Sequence, residues 1–419
     1  MKNTIFLSMA AVIAGMASAA PRVDQHDVVL SQDAFSRKVS VSYVLTGEIG
    51  IVTMDVETNA HDDVWVPIGD KNLRNISGDV NELVTETDVR KTIYWQPDVS
   101  WPGKVIKDGK LRVVVKAWAT NAPPDYMIVD LAARRRFFYP SADAIPFVGG
   151  VTNRELKTDY LVMRKIPAAE VRWRMGASPS ESESDSMPRR YVTLSLDYYI
   201  GVFEFTRGQY KAACGSAIFP PGVPYDGDAA FLPMVQINYA VIRGQSSGAL
   251  DYPSNRGSGG RLTDIRAATG LDGLDLPTEA QWEYACRAGK GTAYHCGNLD
   301  GENVLKIANY GKSGSNNSQE VGLLEANDWG LYDMSGNVME LCLDRYWTKS
   351  KWPEGVMDSR DPEGPQTDVS THSYRVTRGG SCNDTVGNVS SAYRGPLSQS
   401  ENTYWNVGFR LCCPAVIKK

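Results

Sequence analysis

The residues with the most chemistry in the smallest space lie between Asp328 and Asp344, in the run Asp-Trp-Gly-Leu-Tyr-Asp-Met-Ser-Gly-Asn-Val-Met-Glu-Leu-Cys-Leu-Asp. Gly336 and Asn337 signal a turn, because both residue types adopt positive φ at low cost. Asp333 and Glu340 stand on either side of it. A chain that folds back here can bring both carboxylates to one point. The carbonyls of Gly336 and Val338 could then complete an oxygen cage of the kind hard cations take. The same spacing also suits a tight turn whose Asp and Asn only cap local backbone groups.

Cysteine is the second chemical resource. The seven cysteines, Cys214, Cys286, Cys296, Cys342, Cys382, Cys412 and Cys413, all lie in the second half of the chain, and no two form a Cys-x-x-Cys pair. Cys342 and Cys382 flank the motif-rich segments and form a candidate thiol pair. In an oxidising compartment such a pair is expected as a structural disulfide, and an odd total leaves one thiol over. The four histidines, His26, His61, His295 and His372, are too scattered to suggest a three-histidine metal site.

The compartment is suggested by the N-terminus. Lys2, the apolar run Ile5 to Met16 and Ala17-Ser-Ala19 read as an export signal cut after Ala19. The mature chain is therefore expected in the periplasm, at the cell surface or outside the cell. No later stretch has the length of apolar residues that a membrane span needs. A formal net charge of −5 and the lack of a basic run argue against nucleic-acid binding, which requires a cationic face.

The elements that would position these groups differ along the 419 residues. From 20 to 131 short alternating runs, such as Val39/Val41/Tyr43 and Val52/Met54/Val56, predict half-buried strands. Gly47-Glu48 suits the hairpin between them. This region reads as an all-β sandwich of immunoglobulin or fibronectin type, a spacer or an adhesion module. Residues 132–165 read as a connector, with Leu161-Val-Met163 as a strand that docks on a neighbour. Ser178 to Ser186 reads as a polar loop. Thr206 and Thr278 are expected helix N-caps, the latter with Gln281 at the capping-box position. Trp282, Ala285 and Cys286 share one face of that second helix, expected in a core. Leu262 to Ala268 predicts a helix ended by Gly270. Tyr374 to Cys382, Ser390 to Arg394 and Asn406 to Leu411 read as strands flanked by Gly. Arg378, Arg394 and Arg410 are expected to pair with buried carboxylates such as Glu279, Glu283 or Asp344.

Four segments taken together, Tyr199 to Thr206, Leu276 to Tyr284, Gly330 to Val338, and Arg378-Gly-Gly-Ser381 with Gly408-Phe-Arg410, resemble the sulfatase-modifying-factor family, whose best-known member is the formylglycine-generating enzyme. The resemblance covers residues 166–415. It implies an α+β, loop-rich, C-type-lectin-like domain behind the all-β one. It also implies calcium at Asp333, Gly336, Val338 and Glu340. A second family calcium site starts at the matching Asn309-Tyr310, but no Asp follows at the expected distance.

The family's enzyme oxidises a protein cysteine with O₂ and Cu(I), which two thiolates hold five residues apart. Soft thiolates are what Cu(I) requires. Here the first position falls near Asp384 and the second on Val386 or Val389. Copper is therefore not expected. Of the family's stabilising cysteine pairs, Cys286 matches one half, and its partner position is Ser391. Cys412 falls one residue past another. The expectation is an exported, non-catalytic binding or structural protein that meets a protein, peptide or glycan. The alternative is a divergent oxidoreductase acting on protein cysteine.

Overall fold

The computed structural model describes residues 19–418 except 62–63, 107–108, 178–188, 217–218, 245–259, 299–300, 315–316, 348–357, 366–373 and 399–402. The export segment up to Ser18, the loop expected at Ser178–Ser186 and His372 lie outside the described residues.

Two sheets form the N-terminal part. In the first, Val39–Thr46 carries Arg22–Val23 and Val29–Gln32 along one edge and Arg90–Trp95 along the other, followed by Ile76–Gly78. In the second, Gly50–His61 is the long central strand, flanked by Leu111–Trp118, Val64–Pro67 and Leu83–Val84. Alternation decides which side chains turn inward. Val41, Tyr43, Leu45 and Ile93 from the first sheet meet Val52, Met54, Val56 and Val115 from the second in one core. Gly47 makes the turn between the two long strands at φ 83°. A Cβ there would lie 2.6 Å from the carbonyl oxygens of Ala19 and Ala20.

Residues 132–165, expected as a connector, carry strands instead. Arg135–Tyr139, Tyr126–Asp130, Tyr160–Ile166, Tyr198–Gly201 and Cys412–Pro414 form one antiparallel five-stranded sheet in that order. The sheet therefore begins at 126, inside the segment assigned to the sandwich, and is closed by the end of the chain. Met127-Ile-Val129 and Leu161-Val-Met163 are buried on both faces. Such strands read as short continuous apolar runs without alternation: the expected docking strand at Leu161-Val-Met163 is present, while alternation does not find Tyr126–Asp130.

The rest is α+β. Val171–Met175, Arg190–Leu194 and Asp358–Arg360 make a small sheet, and Arg394–Ser398, Tyr374–Arg378, Met339–Arg345 and Val407–Gly408 make another. The strand expected at Ser390 to Arg394 starts only at Arg394, because Val386–Val389 forms a 3-10 turn before it. Helices Arg207–Cys214 and Glu279–Arg287 both open on complete capping boxes, Thr206 with Gln209 and Thr278 with Gln281. Helix Arg261–Thr269 ends on Gly270 at φ 65°. Trp282, Ala285 and Cys286 pack with Leu331, Met334, Cys342 and Val376. Thr278→Ala removes the hydroxyl that accepts from Gln281 N at 3.1 Å. It should lower stability by about 1 kcal/mol in urea denaturation, and an unchanged midpoint would show that the cap is idle.

Candidate functional site

The Ser335-Gly-Asn337 turn is clamped on both sides. Asn337 N donates to Asn309 O at 2.9 Å, Gly336 N to Gly379 O at 2.8 Å, and Cys382 N to Asn337 O at 2.9 Å. Gly336 sits at φ 78°, and a Cβ on it would come 2.3 Å from Asn309 O, so no other residue fits. Asp333 (φ 55°) and Asn337 (φ 61°) also take the left-handed region.

Glu204 grips the turn from the Tyr199–Thr206 segment. Its carboxylate accepts from Val338 N at 3.0 Å and from Asn337 Nδ2 at 2.6 Å. Sequence reading missed this residue. The available signal was one acid inside the apolar run Ile200-Gly-Val-Phe-Glu-Phe205.

Asp333 and Glu340 are both buried, but in different surroundings. Asp333 Oδ2 accepts from Gly322 N at 2.6 Å, while Oδ1 has no hydrogen-bond partner. Glu340 is the second residue of strand Met339–Arg345 and is enclosed by donors. Its Oε1 accepts from Arg410 Nη2 at 2.8 Å, and its Oε2 from Arg410 Nε at 2.9 Å and Trp282 Nε1 at 2.7 Å. Arg410 spends its other N–H groups on the carbonyls of Gly201 (2.8 Å), Val202 (3.0 Å) and Tyr332 (2.8 Å). Arg410 thus pairs with Glu340, not with any of the three acids expected. Arg378 and Arg394 do find Glu279, at 2.9 and 2.7 Å, and Arg378 also binds Glu283 at 2.7 Å.

Three buried acids around the turn, Glu204, Asp333 and Glu340, thus lie within electrostatic reach of one guanidinium. Burial pushes Glu204 well up, and the charges of Asp333 and Glu340 add to it. Burial likewise pushes Asp333 up to about 6. An orphaned carboxylate oxygen and surplus negative charge suit a hard cation at Asp333 Oδ1. Glu340 would have to share with it an oxygen that already receives two N–H groups. Among the described residues no three His, Cys, Asp or Glu side chains converge as a metal site. The candidate rests on two carboxylates and main-chain carbonyls.

The positions where the resemblance would place thiolates are filled otherwise. Asp384 accepts from Ser381 N at 2.8 Å, Ser381 Oγ at 2.6 Å and Asn388 Nδ2 at 3.3 Å. Val389 lies in an apolar cluster with Ala293, Tyr294 and Ile307, and Val386 packs on its edge.

The expected Cys342–Cys382 disulfide is not formed; both are free thiols, as are Cys214, Cys286, Cys412 and Cys413. Cys342 is packed in the core with Trp282 and Val376, while Cys382 donates to the side-chain oxygen of Asn383 at 3.2 Å. Burial pushes Cys382 up to about 11 and Cys342 well above the ordinary thiol value, so both stay protonated at neutral pH. Cys286 donates to Ser391 Oγ at 3.5 Å, where the resemblance would pair two cysteines.

His295 is half-buried, and burial pushes its imidazole from 6.5 to about 4. A depressed histidine contributes stability above its unfolded value and loses it as pH falls. His295→Gln should therefore reduce the loss of stability between pH 6.5 and about 4. Urea midpoints across that window check this, and parallel curves for the two proteins would refute it.

The family of sulfatase-modifying factor enzyme 1-like domains matches residues 163–415. A formylglycine-generating enzyme of Thermomonospora curvata is 29% identical over 184 residues, which is 40% of this chain and 58% of that one. The inactive C-alpha-formylglycine-generating enzyme 2 of Bos taurus is 32% identical over 157 residues, 35% of this chain and 46% of that one. The solved structure of Treponema denticola variable protein 1 superposes with a TM-score of 0.47 at 22% identity, over 61% of this chain and 95% of that chain. Among the described residues no helix is long and apolar enough to cross a membrane.

Proposed function

The chain belongs to the sulfatase-modifying factor enzyme 1-like family, and from that premise we propose that it is an exported binding or structural protein that kept the scaffold without the copper chemistry. In this reading residues 166–415 are a C-type-lectin-like domain, and the N-terminal sheets are an immunoglobulin- or fibronectin-like module. The partner is a protein, peptide or glycan met outside the cytoplasm, after removal of the signal near Ala19.

The carrying observation is the filled thiolate positions. A carboxylate capped by Ser381 and Asn388 stands at one, and an apolar cluster covers both candidates for the other. Neither offers the soft sulfur that Cu(I) needs. The relative named as an inactive formylglycine-generating enzyme supports this direction. The test is to incubate the mature protein with Cu(I), O₂ and a cysteine-containing peptide, and to look for the aldehyde product by mass spectrometry. No aldehyde and no bound copper are expected. Stoichiometric copper with aldehyde formation would establish the alternative, a divergent oxidoreductase acting on protein cysteine.

In the same reading Asp333, with the carbonyls of Gly336 and Val338 and a shared oxygen of Glu340, would hold calcium. The ion would supply positive charge to a buried, electron-rich turn and hold its loops together. Asp333→Asn removes that charge. The purified protein is expected to carry calcium, and chelation should lower its Tm by several degrees. The variant should hold no calcium and not respond to chelation. A parent protein free of calcium, with a Tm indifferent to chelation, would remove the ion from the account.

A further inference from the structure

The first sheet ends in a strand with an open side. Val29–Gln32 pairs with Val39–Thr46 along one edge, from Val29 opposite Ser42 to Gln32 opposite Val39, and all four of its residues are exposed. On the other edge it meets no strand among the described residues. A free edge presents unpaired N–H and C=O groups to any chain that can extend beside it.

A cavity of about 290 Å³ lies beside this strand, lined by Leu30, Gln32, Val39, Trp95, Trp101 and Val105 among others. Leu30 and Gln32 alternate along the strand, so they share the face that looks into the cavity. The walls mix apolar side chains with Arg37, Asp98 and Lys104. Val105 is 88% exposed, and Phe35, close in sequence to Arg37 on the cavity wall, is 99% exposed. Single exposed apolar side chains are ordinary. A group of them around a cavity and an open edge marks an interaction surface.

The charges at the mouth narrow the choice. Arg37 is matched by Asp98 at 3.5 Å, Asp33 is taken up by Ser36 in its own turn, and Lys38 rests over the Tyr94 ring at 3.9 Å. Lys104 lines the cavity and is exposed, and the described residues give it no carboxylate. We propose that this edge and cavity receive an extended segment of a partner protein as an added strand, with a large apolar side chain in the cavity and an acidic side chain against Lys104. Main-chain hydrogen bonds would supply the binding, and the cavity with its lysine would supply the choice of sequence. The site stands apart from the reading of the C-terminal domain and does not depend on it.

The test is selection of short random peptides on the full mature chain, with Leu30→Glu and Lys104→Glu as comparison proteins. Both positions are exposed, and circular dichroism checks that the variants fold. Selected peptides should combine a large apolar residue with an acidic one, and should bind Leu30→Glu about tenfold more weakly. On Lys104→Glu the acidic preference should change to Lys or Arg. Failure to enrich peptides, or binding to the two variants as tight as to the parent, would overturn the proposal. So would a glycan array on which the parent protein binds a sugar in competition with the selected peptides.

Discussion

Arg410→Met should destabilise the protein by about 3–5 kcal/mol, which could be most of its total stability. The guanidinium is fully buried, and its N–H groups reach Glu340 and the carbonyls of Gly201, Val202 and Tyr332. Its loss leaves the buried Glu340 carboxylate with only Trp282 Nε1 and takes a donor from the carbonyls of Gly201, Val202 and Tyr332, of which Val202 O keeps the Tyr332 N–H at 3.0 Å. The penalty is that of an unpaired buried charge, and it exceeds the net worth of the pair. Adding Glu340→Leu should therefore recover part of the loss. Urea denaturation of the two variants and the parent measures this. A single variant within about 1 kcal/mol of the parent would mean that solvent reaches Glu340.

Glu279→Gln should cost a similar amount at neutral pH. The Glu279 carboxylate receives Arg394 through both oxygens, at 2.7 and 2.8 Å, and Arg378 at 2.9 Å. An amide keeps the shape but gives two buried guanidinium groups one neutral acceptor. The pH dependence identifies the cause. Burial by itself raises the Glu279 pKa, but Arg394 and Arg378 outweigh it and hold the carboxyl at about 2, against 4.5 in the unfolded chain. A depressed acid contributes stability that is complete above its unfolded value and is lost as pH falls toward the folded one. The gap between parent and variant should thus be widest above pH 4.5 and close progressively toward pH 2. A gap of equal size at pH 7 and pH 3 would assign the effect to shape and not to charge.

Legibility in the sequence followed the range of the forces involved. Both N-caps, Thr206 and Thr278, and the box that Gln281 closes were visible, because a cap is a contact between residues three apart. Strands facing water on one side were visible through alternation, as at Val39–Thr46. Tyr126–Asp130, buried on both sides, gives no such signal and went unread, whereas Leu161-Val-Met163 was legible as a docking strand from its short apolar run and lies in Tyr160–Ile166. The family was legible because several short motifs recur in one order. The disulfide expectation failed for a related reason. Compartment and cysteine count say that thiols are able to pair, but only packing says which way each one points.

The sequence alone determined the family, the caps, the alternating strands, and the lack of paired sulfur at the positions the resemblance marks. Each is a property of residue identity or of neighbours a few positions apart. Tertiary structure decided that Arg410 binds Glu340 and not Glu279, that Glu204 reaches the turn at Asn337, and that Asp333 keeps one oxygen without a partner. These contacts join residues far apart in the chain. A buried charge takes whichever opposite charge folding brings within reach, because in a medium of low polarity no solvent is left to compete for it.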